Sequence, residues 1–278
     1  MDENRNSNIS SEHSEELLNI IENFRLMDDT FMSKVFEDKA CAELLLRVIL
    51  NRDDLTVVKV VSQFELKNLQ GRSARLDIYA VDEHGKQYDV EVQRSDDGAA
   101  PRRARYNSSL LDANLLNPGD KFDELPESYI IFITEHDVLK GGKPLYTVNR
   151  TISELNHAIF TDGSHIIYVN GEIRNGTALG ELMQDFFCKD PREMHYKVLS
   201  DRAGYFKKDK EGVDTMCKLM EDYADKRARQ AAELASNERA VRMANNLWNK
   251  GERDLQQIAD LTDLPLDEVK KLFEGKTA

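Results

Sequence analysis

The chain has 278 residues, 40% hydrophobic and 32% charged, enough for a sizeable soluble core in one large domain plus a smaller module, or in two domains. No apolar run approaches the roughly 20 residues that a membrane helix needs, and Met1–Glu15 lacks a basic segment leading into an apolar one, so a cytoplasmic protein is expected. The formal net charge of −13 argues against a surface devoted to nucleic acid, and any phosphate-binding patch must be local.

In chain order, a polar extension (1–26) turns helical, with Leu17, Leu18, Ile20, Ile21 and Phe24 as its apolar positions and Ser10 or Ser11 as its cap. Phe31–Leu50 has helical spacing in Phe31, Val35, Leu45, Val48 and Ile49, and predicts one amphipathic helix. Leu55–Phe64, rich in valine, reads as a strand; Arg75–Val81 and Gln87–Gln93 alternate as two more, joined by a hairpin loop at Asp82–Lys86. A helix over Ala99–Leu116 stops at Asn117-Pro118-Gly119. Tyr129–Thr134 is a continuous apolar run and predicts a buried strand. Strands are expected at Leu145–Asn149 and His165–Val169, with Thr151–Ile159 helical between them, and Gly141-Gly142 reads as a turn. From about Leu179 the pattern is helical to the end; Val213, Met216, Cys217 and Met220 form one stripe, and Gly251 interrupts it. This order predicts an α/β fold, a mixed sheet flanked by helices over 27–178, followed by a helical region over 179–278.

The chemistry gathers at the second hairpin. Residues at i and i+2 of a strand share a face, so Glu91 and Gln93 project together and Asp77 on the neighbouring strand can face them. Two close carboxylates raise each other's pKa unless a cation lies between them. Oxygen ligands of this kind suit Mg²⁺ or Mn²⁺. Carboxylates on a sheet face are often only solvated, but here Ile78, Val90 and Val92 alternate with the polar set, and Arg94, Arg102, Arg103 and Arg105 follow at once. Arg103 and Tyr106, one helical turn apart, suit phosphate contact, with an internal salt bridge from Arg103 to Glu91 as the alternative. Lys34 divides in the same way between substrate contact and helix-surface charge. Three cysteines (Cys41, Cys188, Cys217) and six scattered histidines show no metal spacing and no disulfide framework.

Arg75-Leu-Asp77-Ile, a hairpin-length gap and Glu91-Val-Gln93 resemble the D…ExK core of the PD-(D/E)XK nucleases, with Gln in the Lys place. Asp28-Asp-Thr-Phe31-Met-Ser-Lys34-Val-Phe36 and Arg103-Ala-Arg-Tyr106-Asn-Ser resemble one branch of that class, the putative transposases or recombination-promoting nucleases (the Rpn group). The resemblance covers roughly 28–150 and implies a restriction-endonuclease-like core. It implies Asp77 and Glu91 as metal ligands, the Val92 carbonyl as a third, and Gln93 in a catalytic place where an amide can only orient by hydrogen bonds. Glu43, seven residues from both Phe36 and Leu50, sits on an otherwise apolar helical face. The resemblance makes it a further metal ligand; a rim glutamate paired with Arg or Lys is the alternative.

The tail, Leu255 to Leu272, reads as helix, turn, helix, with Pro265 at the second start, and resembles the helix-turn-helix-like end of the same group. Lys270 and Lys271 favour DNA, but Asp260, Asp263, Asp267 and Glu268 oppose it, so packing or homo-oligomerisation is the expected role. Two functions follow from the whole: a Mg²⁺-dependent endonuclease acting on DNA, expected to be duplex, or a non-catalytic binding protein that keeps a nuclease fold.

Overall fold

The computed structural model describes residues 15–68 and 71–274. The chain divides into two compact units between Cys217 and Lys218. No helix among the described residues is long and apolar enough to cross a membrane.

In the first unit, residues 15–23 are helical (α1), with Ile21 buried and Leu18 and Ile20 exposed; the expected cap, Ser10 or Ser11, lies outside the described residues. The helix expected over Phe31–Leu50 is two helices, α2 (Asp29–Val35) and α3 (Lys39–Leu50). The break has a local cause: the Asp38 carboxylate accepts from the amides of Ala40 and Cys41, so it caps a new helix instead of extending the old one. The strands β1 (Val57–Leu66), β2 (Ala74–Asp82) and β3 (Gln87–Gln93) form an antiparallel meander. A turn over Asp96–Ala99 then leads into α4 (Pro101–Ala113), whose first residue is a proline with no amide to satisfy. Next come β4 (Ser128–Thr134), β5 (Leu145–Val148), β6 (Thr151–Ile152), β7 (Ala158–Ile159) and β8 (Ser164–Asn170).

The main sheet has the order β1-β2-β3-β4-β8-β5, with β3, β4 and β8 parallel at its centre and the outer strands antiparallel. Thr151–Ile159 is not one helix: β6 and β7 pair as a small hairpin around a single 3-10 turn at Ser153–Leu155, and Asn156 and His157, at φ of 52° and 58°, turn the chain back. On one face of the sheet Ile78, Ala80, Val90, Val92, Ile131 and Ile133 are buried. On the other, Tyr79, Ile130, Phe132 and Tyr168 pack beneath Ala104, Leu110 and Leu111 of α4. Each such buried apolar side chain contributes about 1.5–3 kcal/mol. The β3–β4 register sets Asp89 beside Ile130 and Glu91 beside Phe132, so the acidic residues of β3 lie on the face that α4 covers.

The first unit continues past residue 178, where the sequence pattern set a boundary. α5 (Ala178–Phe187) and α6 (Lys197–Lys208) both pack on α3, and Phe186 stacks on Phe36 at 5.7 Å. The helical region expected over 179–278 is therefore shared between the units. α7 (Lys210–Asn249) carries the chain into the second.

The second unit has its own apolar cluster of Ala244, Trp248, Ile258, Ala259, Leu264, Val269 and Phe273. α8 (Leu255–Thr262) starts at Asp254, whose side chain accepts from the amides of Gln256 and Gln257. α9 (Leu266–Phe273) brings Phe273 flat onto Trp248, ring centroids 4.3 Å apart. Gly251, at φ 101°, lets the chain leave α7 in a conformation that a side chain would oppose. Residues 221–234 of α7 are exposed all round.

Candidate active site

The site is built by a helix lying along a strand. Two residues of strand advance about 6.6 Å, and four residues of helix advance about 6 Å. Arg103 and Asn107 of α4 therefore match the spacing of Glu91, Gln93 and Asp89 on β3. Arg103 pairs with the Glu91 carboxylate through one guanidinium nitrogen. Its other terminal nitrogen donates to Gln93 Oε1 at 3.2 Å and to the Gly98 carbonyl at 2.9 Å. Asn107 Nδ2 donates to Asp89 at 3.2 Å and lies 3.4 Å from Glu91 Oε1. Gln93 Nε2 donates to Glu91 Oε2 at 3.0 Å.

Asp77 reaches the group from β2. The register that pairs Ile78 with Val90 continues to place Asp77 across from Glu91, and Asp77 Oδ2 accepts from the Val92 amide at 3.1 Å. Gly98 closes the turn beside them. A Cβ there would stand 2.0 Å from Gln93 Oε1, so a side chain at this position would displace the Gln93 amide.

Three carboxyls are thus confined with one guanidinium against them. Glu91 and Asp89 are both 0% exposed. Burial is the first cause that pushes all three upward, Asp77 to about 6. For Asp77 the Val92 amide opposes this, the Asp29 carboxylate of α2 adds to it, and Arg103 and Arg75 resist it. Asp89 and Asp77 push Glu91 further up, and Arg103 pulls it down. Asp89 keeps one oxygen, Oδ1, buried without a hydrogen-bond partner. In a folded core such an atom costs about 1–3 kcal/mol unless a proton shared with the neighbouring Glu91 carboxyl serves it.

Tyr106 and Lys34 have local partners. The Tyr106 hydroxyl donates to the Arg72 carbonyl and accepts from Asn68 Nδ2 at 3.1 Å, which ties α4 to the β1–β2 connection. Lys34 pairs with Glu37 at 2.8 Å. Arg94 bonds Asp28 and Glu135 instead of joining the carboxylates. Glu43 is held at the start of β1: one oxygen accepts from the Val57 amide at 2.9 Å and the other pairs with Arg47 at 2.8 Å. The first bond ties α3 to β1 and the second lies within α3, which is the pairing of the rim-glutamate alternative. Asp89, Asn107, Asp29 and Gly98 were not singled out from the sequence. The signal for Asp89 was present, since Asp89-Val-Glu91-Val-Gln93 puts three polar side chains on one face between buried valines. Asn107 follows Arg103 at helical spacing.

The donor chemistry fits a hard divalent cation. Asp77 and Glu91 offer carboxylate oxygens, their burial opposes ionisation without a counter-charge, and the orphaned Asp89 oxygen marks the same polarity deeper in. Among the described residues no group of three or more His, Cys, Asp or Glu side chains forms a complete metal cage. A cation held here would need its remaining ligands from backbone, water or substrate, as Mg²⁺ commonly does.

No curated protein and no solved structure matches this chain. A family model, described as PD-(D/E)XK nuclease family transposase, matches residues 31–257 and so spans the hairpin, α4 and the junction between the units. The chain belongs to the PD-(D/E)XK nuclease family transposases.

Proposed function

We propose that this protein is a Mg²⁺- or Mn²⁺-dependent DNA endonuclease that hydrolyses a phosphodiester bond at Asp77, Glu91 and Gln93, with a role in recombination like that of the Rpn group. The observation that carries the proposal is the convergence of the Asp77 and Glu91 carboxyls, both raised by burial, at the open end of β3. Asp77 and Glu91 would hold the cation, with the Val92 carbonyl as a candidate third ligand. When bound, such a cation polarises a phosphoryl oxygen and acidifies a water at neutral pH. The rest falls to the chain's own groups. Gln93, fixed to Glu91 and Arg103, orients the attacking water or a phosphate oxygen through its amide. Asn107 holds the Asp89 and Glu91 carboxyls in place. Arg103, with its side chain 38% exposed, can offer guanidinium protons to a phosphate as negative charge develops. Water loses a proton to solvent as its oxygen bonds to phosphorus, the bond from phosphorus to the leaving oxygen breaks, and that oxygen takes up a proton from solvent.

One observation favours a second reading. Arg103 already neutralises Glu91, and Gln93 brings no positive charge, so the same geometry also suits a nuclease fold that binds nucleic acid without cutting it. Nicking of supercoiled plasmid separates the two. Cleavage that needs Mg²⁺ or Mn²⁺, stops with a chelator and vanishes in the Asp77→Ala, Glu91→Ala double variant supports the enzyme. Binding without metal-dependent cleavage supports the second reading. Homo-oligomerisation through the helical C-terminal region remains part of the proposal; the exposure of residues 221–234 supports it, and a mass measurement in solution tests it.

A further inference from the structure

Beside the carboxylates lies a cavity of about 480 Å³ lined by four arginines, Arg72, Arg75, Arg102 and Arg103, together with Tyr106 and Asn107. In a chain with a net charge of −13, this concentration of cations around one hollow is the local basic surface that a polyanion needs. Two of its walls are also walls of the active site, since Arg103 bonds Glu91 and Gln93, and Asn107 bonds Asp89. The hollow is therefore separated from the buried carboxylates only by the Arg103 and Asn107 side chains that bond them. The other three arginines have no ion-pair partner within 4.0 Å among the described residues; Glu65 stands across the sheet from Arg75 in register but does not reach it. Their guanidinium groups stay available to an incoming ligand. Tyr106 is anchored through its hydroxyl at Arg72 and Asn68, and the residue is 36% exposed.

We infer that this arginine bay is a subsite for one nucleotide of the strand flanking the scissile bond. Arg75 and Arg102 take its phosphate, and the Tyr106 ring gives its sugar or base a face to rest on. The volume is that of a small-ligand site, not of a duplex groove, which is why one nucleotide is assigned. A fixed aromatic face accepts any base, so the grip is indifferent to sequence. The inference rests on the proposal that this end of the sheet acts on nucleic acid, but it assigns residues that the catalytic constellation does not use.

The test is binding of short fluorescent single strands, DNA and RNA of one sequence, by anisotropy over a range of salt, in chelator so that nothing is cut. Each lost phosphate contact on a single strand lowers the slope of log affinity against log salt by about 0.7. The Arg75→Ala, Arg102→Ala double variant should bind the DNA strand about tenfold more weakly, with a slope shallower by about 1.4. Arg75→Lys with Arg102→Lys should stay close to the parent slope. The pair Lys121→Ala, Lys140→Ala removes the same charge from exposed positions outside the bay and should change nothing. Loss on both polymers assigns the grip to phosphate alone, and loss on DNA only assigns it to DNA; both support the bay. The same pattern in a protein that nicks no plasmid also supports the bay while the hydrolysis proposal fails. A parent slope retained in the alanine variant overturns it. So does equal loss in the Lys121, Lys140 control, or a parent that binds neither strand.

Discussion

The β3 end of the sheet and the α8–α9 tail are packed on opposite terms. The tail closes mainly with apolar groups: Trp248 lies flat on Phe273, Ile258, Leu264 and Val269 fill the space around them, and the buried Thr262 hydroxyl is satisfied by the Ile258 carbonyl. Beneath α4, the corresponding interior positions hold Asp89, Glu91 and Asn107, with one carboxylate oxygen left unpartnered. Burying polar groups in this way costs free energy unless every bond is made. The tail satisfies the rules of packing, whereas the hairpin departs from them in one place, and such departures concentrate where a protein works.

Substitutions that separate stability from activity test this comparison. The largest effect is expected from Glu91→Gln, which removes the ligand charge but keeps the shape: single-turnover cleavage should fall by at least about 100-fold, with the melting temperature kept or raised. In the tail the pattern should reverse. Trp248→Ala should cost about 3–5 kcal/mol of local stability, visible as a separate early transition, with single-turnover cleavage little changed. If Trp248→Ala abolishes cleavage at temperatures where the first unit is folded, the division between a working hairpin and a packing tail is wrong.

A pH profile gives the next effect in size. Folding raises the carboxyl pKa values at the site, so the folded, metal-free protein holds protons that the unfolded chain would release. The resulting stability is complete below the ordinary carboxyl range near ~4 and is lost as pH rises through the raised values, beginning with Asp77 at about 6. The metal-free protein should therefore melt several degrees lower in mildly alkaline buffer than in mildly acidic buffer. Asp89→Asn keeps the shape and removes the titration, so it should raise the alkaline melting temperature and leave the acidic one nearly unchanged. An identical pH profile in this variant would mean that Asp89 carries no such strain.

The smallest effect is expected at Gln93. Gln93→Ala should slow cleavage by about tenfold and leave metal affinity almost intact, because an amide that orients is not a charged ligand. Gln93→Lys, which adds a cation where charge develops, should hold or raise the rate. Single-turnover cleavage across a Mg²⁺ titration reads both, and a parent rate in Gln93→Ala at every Mg²⁺ concentration would remove Gln93 from the mechanism.

How much of this was legible in the sequence depended on the range of the interaction. Strand alternation is local, so β3 was read with its bounds, and Asp77, Glu91 and Gln93 were placed on one hairpin from their spacing. Capping is also local but easily masked by periodicity: Phe31, Val35 and Leu45 fit one helix, and only the Asp38 side chain reveals two. The partners of charged residues were the least legible. Arg103 reads the same in sequence whether it meets phosphate or Glu91, because that choice is made by the strand packed beneath α4; the Arg47 partner of Glu43 lies one turn on in the same helix, whereas its tie to the Val57 amide comes only with β1. Asp89 went unnoticed for a related reason, since its burial comes from α4, eighteen residues away at Asn107. The arginine bay joins the β1–β2 connection to α4, a juxtaposition that no local pattern announces.

The claim on which the account turns is that the buried carboxyls form a cation site and are not merely an arginine-satisfied core. Calorimetric titration with Mn²⁺ near neutral pH, repeated in buffers of different ionisation enthalpy, addresses it without any substrate. One Mn²⁺ per chain should bind, with release of protons from the raised carboxyls, and none should bind to the Asp77→Ala, Glu91→Ala variant. Equal binding in that variant, or no binding to the parent, would contradict it.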